Sequence, residues 1–544
     1  MRSIESGHRR RRSPRTGCRV TLAFGSTCLL ILGSAEGYRF FSDHRLEGRR
    51  VVEAEYARPW DPEIWPPGET LTWVIANDPG WTSDWTDEDG VVHPGPLEAP
   101  DEVIPFVARA LQAWSDIKSA DIRWEVSGVD DSLERPEWDD GRPTIFVDPE
   151  ATRGSYAAQW GKRIGDRWVA TDCHVPLSPG AAAELGEPWW DYVLMHEFGH
   201  CLGLDHAGAL SAVVRPTGRP ARHAQYVHPT DPLMSYGFYG FPPGRLLADD
   251  MVGASLLRPG AGWLRTAGNI AGSVTSNFEE VPAHVHVWAL PLGENPLRDR
   301  VGAFSNANGE FRIEGLDPGD YALWVQPLYR LDAHPGLREV APLDLDDTVL
   351  GRLVRVRAGR TTDGLEIPLR PGRTSRRPPG ANAAAQESGT PIPITERWGT
   401  PCAGIRVRGA PLVPPDGPLW FAPHDQQTGG DRWFGTSLTV ELAAEHSFDW
   451  AGPYRDWTWD YEEERLRRFA ELATPDWFPN SSLLDVSITD WQIEPAGSGV
   501  RHVMDIAWPE SSEATLRFRS EDDSCDGEPL VVCDLSGCAI RPAS

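Results

Sequence analysis

The side chains of this chain best suited to chemistry stand in one run, His196-Glu197-Phe198-Gly199-His200-Cys201-Leu202-Gly203-Leu204-Asp205-His206. On a helix, His196 and His200 are one turn apart, so both imidazoles leave from the same face. That spacing lets two ring nitrogens reach one Zn2+ at about 2.0–2.1 Å. Glu197 then stands beside the metal, not on it, where it can take a proton from a bound water. Gly203 suits a sharp exit from the helix, because glycine tolerates the left-handed conformation such an exit needs. His206 is then expected to return as the third ligand, leaving an open position for water as catalytic zinc sites do. A bare HExxH also arises on surface helices with two histidines. With 15 His and 53 Gly in 544 residues, the added Gly and His reduce chance matches roughly 400-fold.

These residues need a framework. The segment from about Pro188 reads as a helix that stops near Gly203. Val103 to Ile117 has apolar residues at helical spacing, with Pro105 tolerable in the first turn, and Leu246 to Leu257 reads as a short helix halted by Pro259-Gly260. LTWVIAN (Leu71 to Asn77), DIRWEV and PTIFV read as strands, and RWVATDCHVPL as an edge strand.

HEFGHCLGLDH resembles the metzincin zinc metallopeptidases, and most of all their matrixin branch, over roughly Leu71 to Leu257. The resemblance implies an α/β (α+β) catalytic domain with a twisted mixed sheet and a zinc helix. It also implies a methionine in a tight turn under the metal, for which Met234 in DPLMSYG is the candidate. The Met-Ser-Tyr triplet resembles serralysins and astacins, which implies that Tyr236 binds zinc or the transition-state oxyanion; the alternative is a packing tyrosine. Two departures matter. His174 alone does not supply the histidine set of a second, structural zinc, so one catalytic zinc is expected. Residues 36–67 contain no Cys, so latency by a thiolate on zinc is not supported. Asp249 and Asp250 are expected to support helix and turn structure, and no motif supports Ca2+.

Beyond this region, short strand-like runs alternate with Gly, Pro, Asn and Asp from about Thr266 to Pro371, a β-sandwich spacing. NANGEFRIEGLDPGDYALWV (Asn306 to Val325) resembles a carboxypeptidase-regulatory-like or transthyretin-like β-sandwich, a module without chemistry of its own. The expected organisation is multidomain: a leader at 1–35, a lead-in or short propeptide at 36–67, the catalytic domain at 68–262, the β-sandwich at 266–371, a flexible linker at 372–393 and a mostly β, Cys-containing domain of unknown role at 394–544. Tyr461 to Ala473 is a helix-like interruption in the last of these.

The leader reading rests on a basic segment, Arg9 to Arg19, a mostly apolar run from Val20 to Leu32 and the small residues Gly33-Ser34-Ala35. Retention of that segment as an anchor is the rival. Cys18 and Cys28 fall in the leader; Cys173 and Cys201 lie in the catalytic region, and Cys402, Cys525, Cys533 and Cys538 lie near the C-terminus. Even numbers suit an oxidising compartment. Cys173 and Cys201 either bridge the helix to the preceding strand or remain buried thiols, and four Cys allow three pairings. The chain holds 80 Asp+Glu against 52 Lys+Arg, a net charge of −28, which disfavours nucleic acid and anionic membrane surfaces.

The expected function is a secreted zinc-dependent endopeptidase acting on a protein or peptide substrate, with no nucleic acid and no stable membrane insertion after leader cleavage. A periplasmic or cell-surface location follows if the leader is retained. The alternative is an extracellular adhesion or matrix-binding protein on a catalytically weak scaffold.

Overall fold

Strand is the predominant secondary structure of this chain in the computed structural model. The described residues run from 39 to 540, except 206, 208–225, 228–231, 235–238, 241–244, 277–284, 327–346, 370–391, 394–397, 412–432, 452–486, 510–513, 521–530 and several shorter breaks. The leader, residues 372–391 of the expected linker and the helix-like stretch at 461–473 therefore lie outside them, while Ile392–Pro393, at the end of that linker, form a short strand paired with Ala539 and Ile540.

The first layer is a five-stranded sheet. Its strands are β1 (Leu71–Ala76), β2 (Trp124–Asp130), β3 (Thr144–Val147), β4 (Ala158–Ile164) and β5 (Arg167–Leu177), in the order β2-β1-β3-β5-β4. β1 runs parallel to β2 and β3, β3 parallel to β5, and β4 antiparallel to β5. All four residues of β3 are buried, the pattern of a central strand covered on both faces. β5, expected at an edge, lies inside the sheet, and β4 forms the edge beside it. Burial of every residue from Val169 to Leu177 gives the physical reason: an edge strand would leave part of that apolar run to solvent.

Helix α1 (Ile104–Ser115) buries Val107, Ala110, Leu111 and Trp114, spaced i, i+3, i+4, i+7, so one apolar stripe faces the core. Helix α2 (Pro188–Leu202) is buried continuously from Tyr192 to its end. A helix apolar on nearly all sides must lie inside the protein. Phe198 fixes its sheet-facing side, with its ring 4.7 Å from Trp73. Helix α3 (Ala248–Leu257) follows.

From Gly268 onward the described chain is nearly all strand. β6 (His286–Pro291) and β7 (Gly319–Gln326) pair antiparallel, with Trp288 opposite Trp324. Period-2 alternation sends their side chains into two different cores. Val287, Ala289, Tyr321, Leu323 and Val325 join a hydrophobic cluster that continues to Trp60 and α2. Trp288, Leu290, Ala322 and Trp324 face a second cluster that reaches Ile540. The sheet continues through Asp347–Leu350 into His446–Ala451, so the regions before and after 372–393 share one ten-stranded sheet.

The expected fold class is corrected here. The chain is a mostly β protein, not one dominated by an α/β metzincin catalytic domain with appended modules. The physical reason is local: Gly, Pro and Asn punctuate the chain after 266 into short runs that alternate with period 2, and few segments are long and unbroken enough for helix.

Candidate functional site

Helix α2 carries His196, Glu197 and His200, and all three are buried. The imidazoles of His196 and His200 lie edge to face with ring centroids 4.8 Å apart. His196 Nδ1 lies 2.8 Å from the Leu233 carbonyl oxygen, and His200 Nδ1 lies 2.8 Å from that of Leu204. A carbonyl only accepts, so each Nδ1 carries the proton and donates. Nε2 is then the lone-pair nitrogen of both rings. This is the tautomer that a metal-ligating histidine needs, fixed by backbone acceptors. On the chemistry of the donor set, His196 and His200 fit Zn2+.

Burial pushes the Glu197 carboxyl up to about 8, against a backbone hydrogen bond from Ala157 that lowers it. A divalent cation on the neighbouring imidazoles acts in the opposite direction, favouring the carboxylate. Gly203 follows the helix at φ 118°, and its N–H donates to the His200 carbonyl at 3.0 Å. That is the left-handed exit expected of it.

The helix is held at its middle and at its C-terminal end by side-chain donors. Trp114 Nε1 donates to the Met195 carbonyl at 2.9 Å. Trp60 Nε1 and Gln159 Nε2 both donate to the Cys201 carbonyl, at 2.8 and 3.2 Å. Cys173 and Cys201 form a disulfide with their Cα atoms 5.5 Å apart, tying α2 to β5. Cys402 is also disulfide-bonded.

Met234 is buried directly against the helix. A Cβ placed on Gly199 would meet Met234 Sδ at 2.2 Å and Trp114 Cζ2 at 2.9 Å. The Asp250 carboxylate organises the turn that carries Met234. It accepts from the N–H groups of Leu233 (2.8 Å), Met234 (3.0 Å) and Leu247 (2.9 Å). Burial raises Asp250 to about 6 despite these bonds, and raises Asp249 well above the usual carboxylate range. Met234 in turn accepts from the Ala207 N–H at 2.7 Å.

The structure thus brings together His196, Glu197, His200 and Met234. His206 and Tyr236 lie outside the described residues. Among the described residues no group of three or more His, Cys, Asp and Glu could hold a metal. His174 is fully buried, with Nε2 3.1 Å from Asp172 Oδ2 and its ring centroid 5.3 Å from that of Trp160. Sequence reasoning did not find the carbonyls of Leu233 and Leu204, the indole donors of Trp60 and Trp114, or the three-way grip of Asp250. Only the acidic pair at the start of α3 offered a signal for the last.

No family model matches this chain, and no curated protein matches it. Solved structures similar to parts of it include the TIE protein of Bacillus anthracis, at 15% identity, a TM-score of 0.14, and 20% of this chain against 17% of that one. The minor pilin GBS52 of Streptococcus agalactiae matches at 14% identity and a TM-score of 0.13, over 21% of this chain and 48% of that one. The major pilin BcpA of Bacillus cereus matches at 10% identity and a TM-score of 0.14, over 47% and 65%. The chain spans less than two thirds of the length of each.

The similar structures include several pilins, and no three-residue metal group stands among the described residues. The metzincin, matrixin-like identification, the carboxypeptidase-regulatory-like identification and the protease and metal-binding descriptors that followed from them are corrected on those findings. The disulfide descriptor stands. Disulfides persist in oxidising compartments, which agrees with a cell-surface or extracellular setting. Among the described residues, no helix is long and apolar enough to cross a membrane.

Proposed function

We propose that this is an extracellular or cell-surface protein in which α2 carries a zinc-dependent centre that hydrolyses peptide bonds. The observation that carries the reading is the paired orientation of His196 and His200. Both rings are buried on one helix face, each with its Nδ1 proton committed to a backbone carbonyl. Those two residues would hold the ion, with His206 as the third ligand required by the spacing. Bound there, zinc supplies Lewis acidity and lowers the pKa of water. Glu197 provides the base: its carboxylate takes a proton from the attacking water and returns it to the leaving amine nitrogen. Tyr236 is the proposed donor to the developing oxyanion. Burial of the helix excludes bulk water from Glu197 and the two histidines.

A second reading is an extracellular adhesion or matrix-binding protein. The extended β array from Gly268 onward supports it. One experiment separates the two. The full chain is purified from an oxidising compartment, its zinc is measured, and casein cleavage is followed with and without a chelator, for the parent and for Glu197→Gln. The hydrolase reading expects about one zinc per chain in both proteins and a loss of cleavage of at least about 10³-fold in the variant. A zinc-free parent, or cleavage undiminished in Glu197→Gln, refutes it; a zinc-free chain that binds matrix protein without cutting it supports adhesion.

A further inference from the structure

Helix α2 ends at Leu202, so the Cys201 carbonyl is one of the last four that find no partner within the helix. Cys201 is fully buried, and a buried carbonyl needs donors from elsewhere. Trp60 Nε1 supplies one at 2.8 Å and Gln159 Nε2 a second at 3.2 Å, which uses both lone pairs. The two donors come from different segments, and a third contact joins those segments. Gln159 and Lys162 both stand on β4, and Lys162 Nζ lies 2.5 Å from Oδ2 of Asp61, the residue after Trp60. A ring therefore closes, from the Cys201 carbonyl through Trp60 and Asp61 to Lys162, and back along β4 through Gln159. Within it Asp61 is 1% exposed and Lys162 half-exposed. The main chain of the same segment is pinned to β5: the Asp61 N–H donates to the Ala170 carbonyl at 2.8 Å, and the Ala170 N–H donates to the Pro59 carbonyl at 2.9 Å. Arg258 holds the far end. Its guanidinium donates to the carbonyls of Trp65 (3.0 Å) and Pro66 (3.2 Å), with its carbon 3.8 Å from the Trp65 ring centroid.

We propose that residues 59–66 are a strap that positions His200, with Trp60 and Lys162 as positioning residues, and that any N-terminal processing of the chain stops before Pro59. The inference rests on the reading of His200 as a metal ligand, but the strap's hold on the helix end is independent of any ion. The Cys201 carbonyl belongs to a peptide plane enclosed by two contacts of His200. The His200 carbonyl accepts from the Gly203 N–H, and the Leu204 carbonyl accepts the His200 Nδ1 proton. Fixing the plane between them fixes the carbonyl that orients the ring. Lys162 acts one step further out. A buried carboxylate needs a counter-charge. The Lys162 ammonium, and the Glu63 N–H at 3.0 Å, hold Asp61 below the usual carboxylate range. Without Lys162 the Asp61 carboxylate takes up a proton or turns to solvent, and Trp60 beside it loses its anchor. Trp60 and Trp65 are 2% and 1% exposed and meet edge to face with ring centroids 6.0 Å apart. The strap is thus part of the core and not a removable prosegment.

The test uses the full chain with isotope-labelled histidine. Solvent exchange of the His196 and His200 Nδ1 protons is read in the metal-free protein, and zinc affinity by competition with a chelator. Trp60→Phe keeps an aromatic ring and removes the donor. It is expected to speed exchange at His200 about tenfold, the size of one lost buried hydrogen bond, and to weaken zinc about tenfold. His196, oriented by Leu233, should be unchanged. Lys162→Met should give a smaller change of the same sign. Adding Asp61→Asn removes the buried charge and keeps an oxygen for the Glu63 N–H, so the double variant should return to the parent rate. Subtilisin digestion of the full chain should leave a core whose N-terminus lies at or before Pro59. An unchanged His200 rate in folded Trp60→Phe overturns the proposal, and so does equal acceleration at both histidines, which marks general loosening. Where Trp60→Phe does not fold, Lys162→Met decides: an unchanged rate, or no recovery in the double variant, overturns it. A resistant core that begins beyond Pro66 and keeps the parent His200 rate also overturns it. A parent that binds no zinc refutes the hydrolase reading instead, and leaves the exchange arm to decide this one.

Discussion

Replacing Cys173 and Cys201 together with Ala should cost the helical region about 3.5 kcal/mol at 25 °C. The bridge closes a loop with a sequence separation of 28, and loop closure over that length removes about 12 cal/mol/K from the unfolded chain. Both cysteines are fully buried, but Ala at each position removes only the sulfur, so the cavity term is small beside the entropic one. Residues 33–544 form one compact unit, and at about 2.1 cal/mol/K per residue over about 500 residues a loss of that size lowers the unfolding midpoint by roughly 3 °C. The site itself should survive at 25 °C, because the Cys201 carbonyl still receives Trp60 Nε1 and Gln159 Nε2. Differential scanning calorimetry of the parent, the reduced parent and the double variant measures the shift. Zinc affinity measured below the transition checks that His200 has not moved. A shift below about 1 °C in both perturbed proteins would mean that the unfolded chain is not what the bridge constrains. Weakened zinc binding at 25 °C would mean that the bridge, and not the two side-chain donors, positions the helix end.

Gly199→Ala tests the approach of the Met234 turn. At an exposed helical position this change gains about 1 kcal/mol, but here the added methyl meets Met234 and Trp114 inside van der Waals distance. Overpacking costs about 1–3 kcal/mol, so the net result should be a loss of up to about 2 kcal/mol in chemical denaturation, and a stabilised variant refutes the packing. His502 governs acid stability of the β array. It is fully buried, its Nδ1 accepts from Trp491 Nε1 at 3.1 Å, and burial lowers its pKa to about 3. The unfolded chain therefore binds more protons between pH 6.5 and 3, so stability is complete above about 6.5 and falls as pH drops, by up to about 1.4 kcal/mol per unit. His502→Gln should flatten that slope in unfolding curves recorded from pH 7 to 5; an unchanged slope assigns the acid sensitivity elsewhere.

Local patterns were legible where local physics decides. The i, i+4 spacing put His196 and His200 on one helix face, and the spacing from Val107 to Trp114 marked the buried side of α1. The alternation in HVHVWAL and YALWVQ marked strands, and Gly203 marked the helix exit. The resemblance drawn from the histidine run reached further than the chain supports, since a run of eleven residues constrains a site and not the architecture of 544.

The sequence by itself determined which side chains could act and the periodicity of the elements that bear them, because backbone geometry alone fixes which residues share a face. Only the tertiary structure decided who holds those side chains. The Leu233 carbonyl lies 37 residues from the ring it orients, and Asp250 reaches its turn across 17 residues. Gly302, whose N–H binds Asp249, arrives from a different sheet. The β6 and β7 strands serve two cores at once, which alternation permits but does not specify. Such contacts depend on how separate elements close upon one another, and no local pattern records that closure.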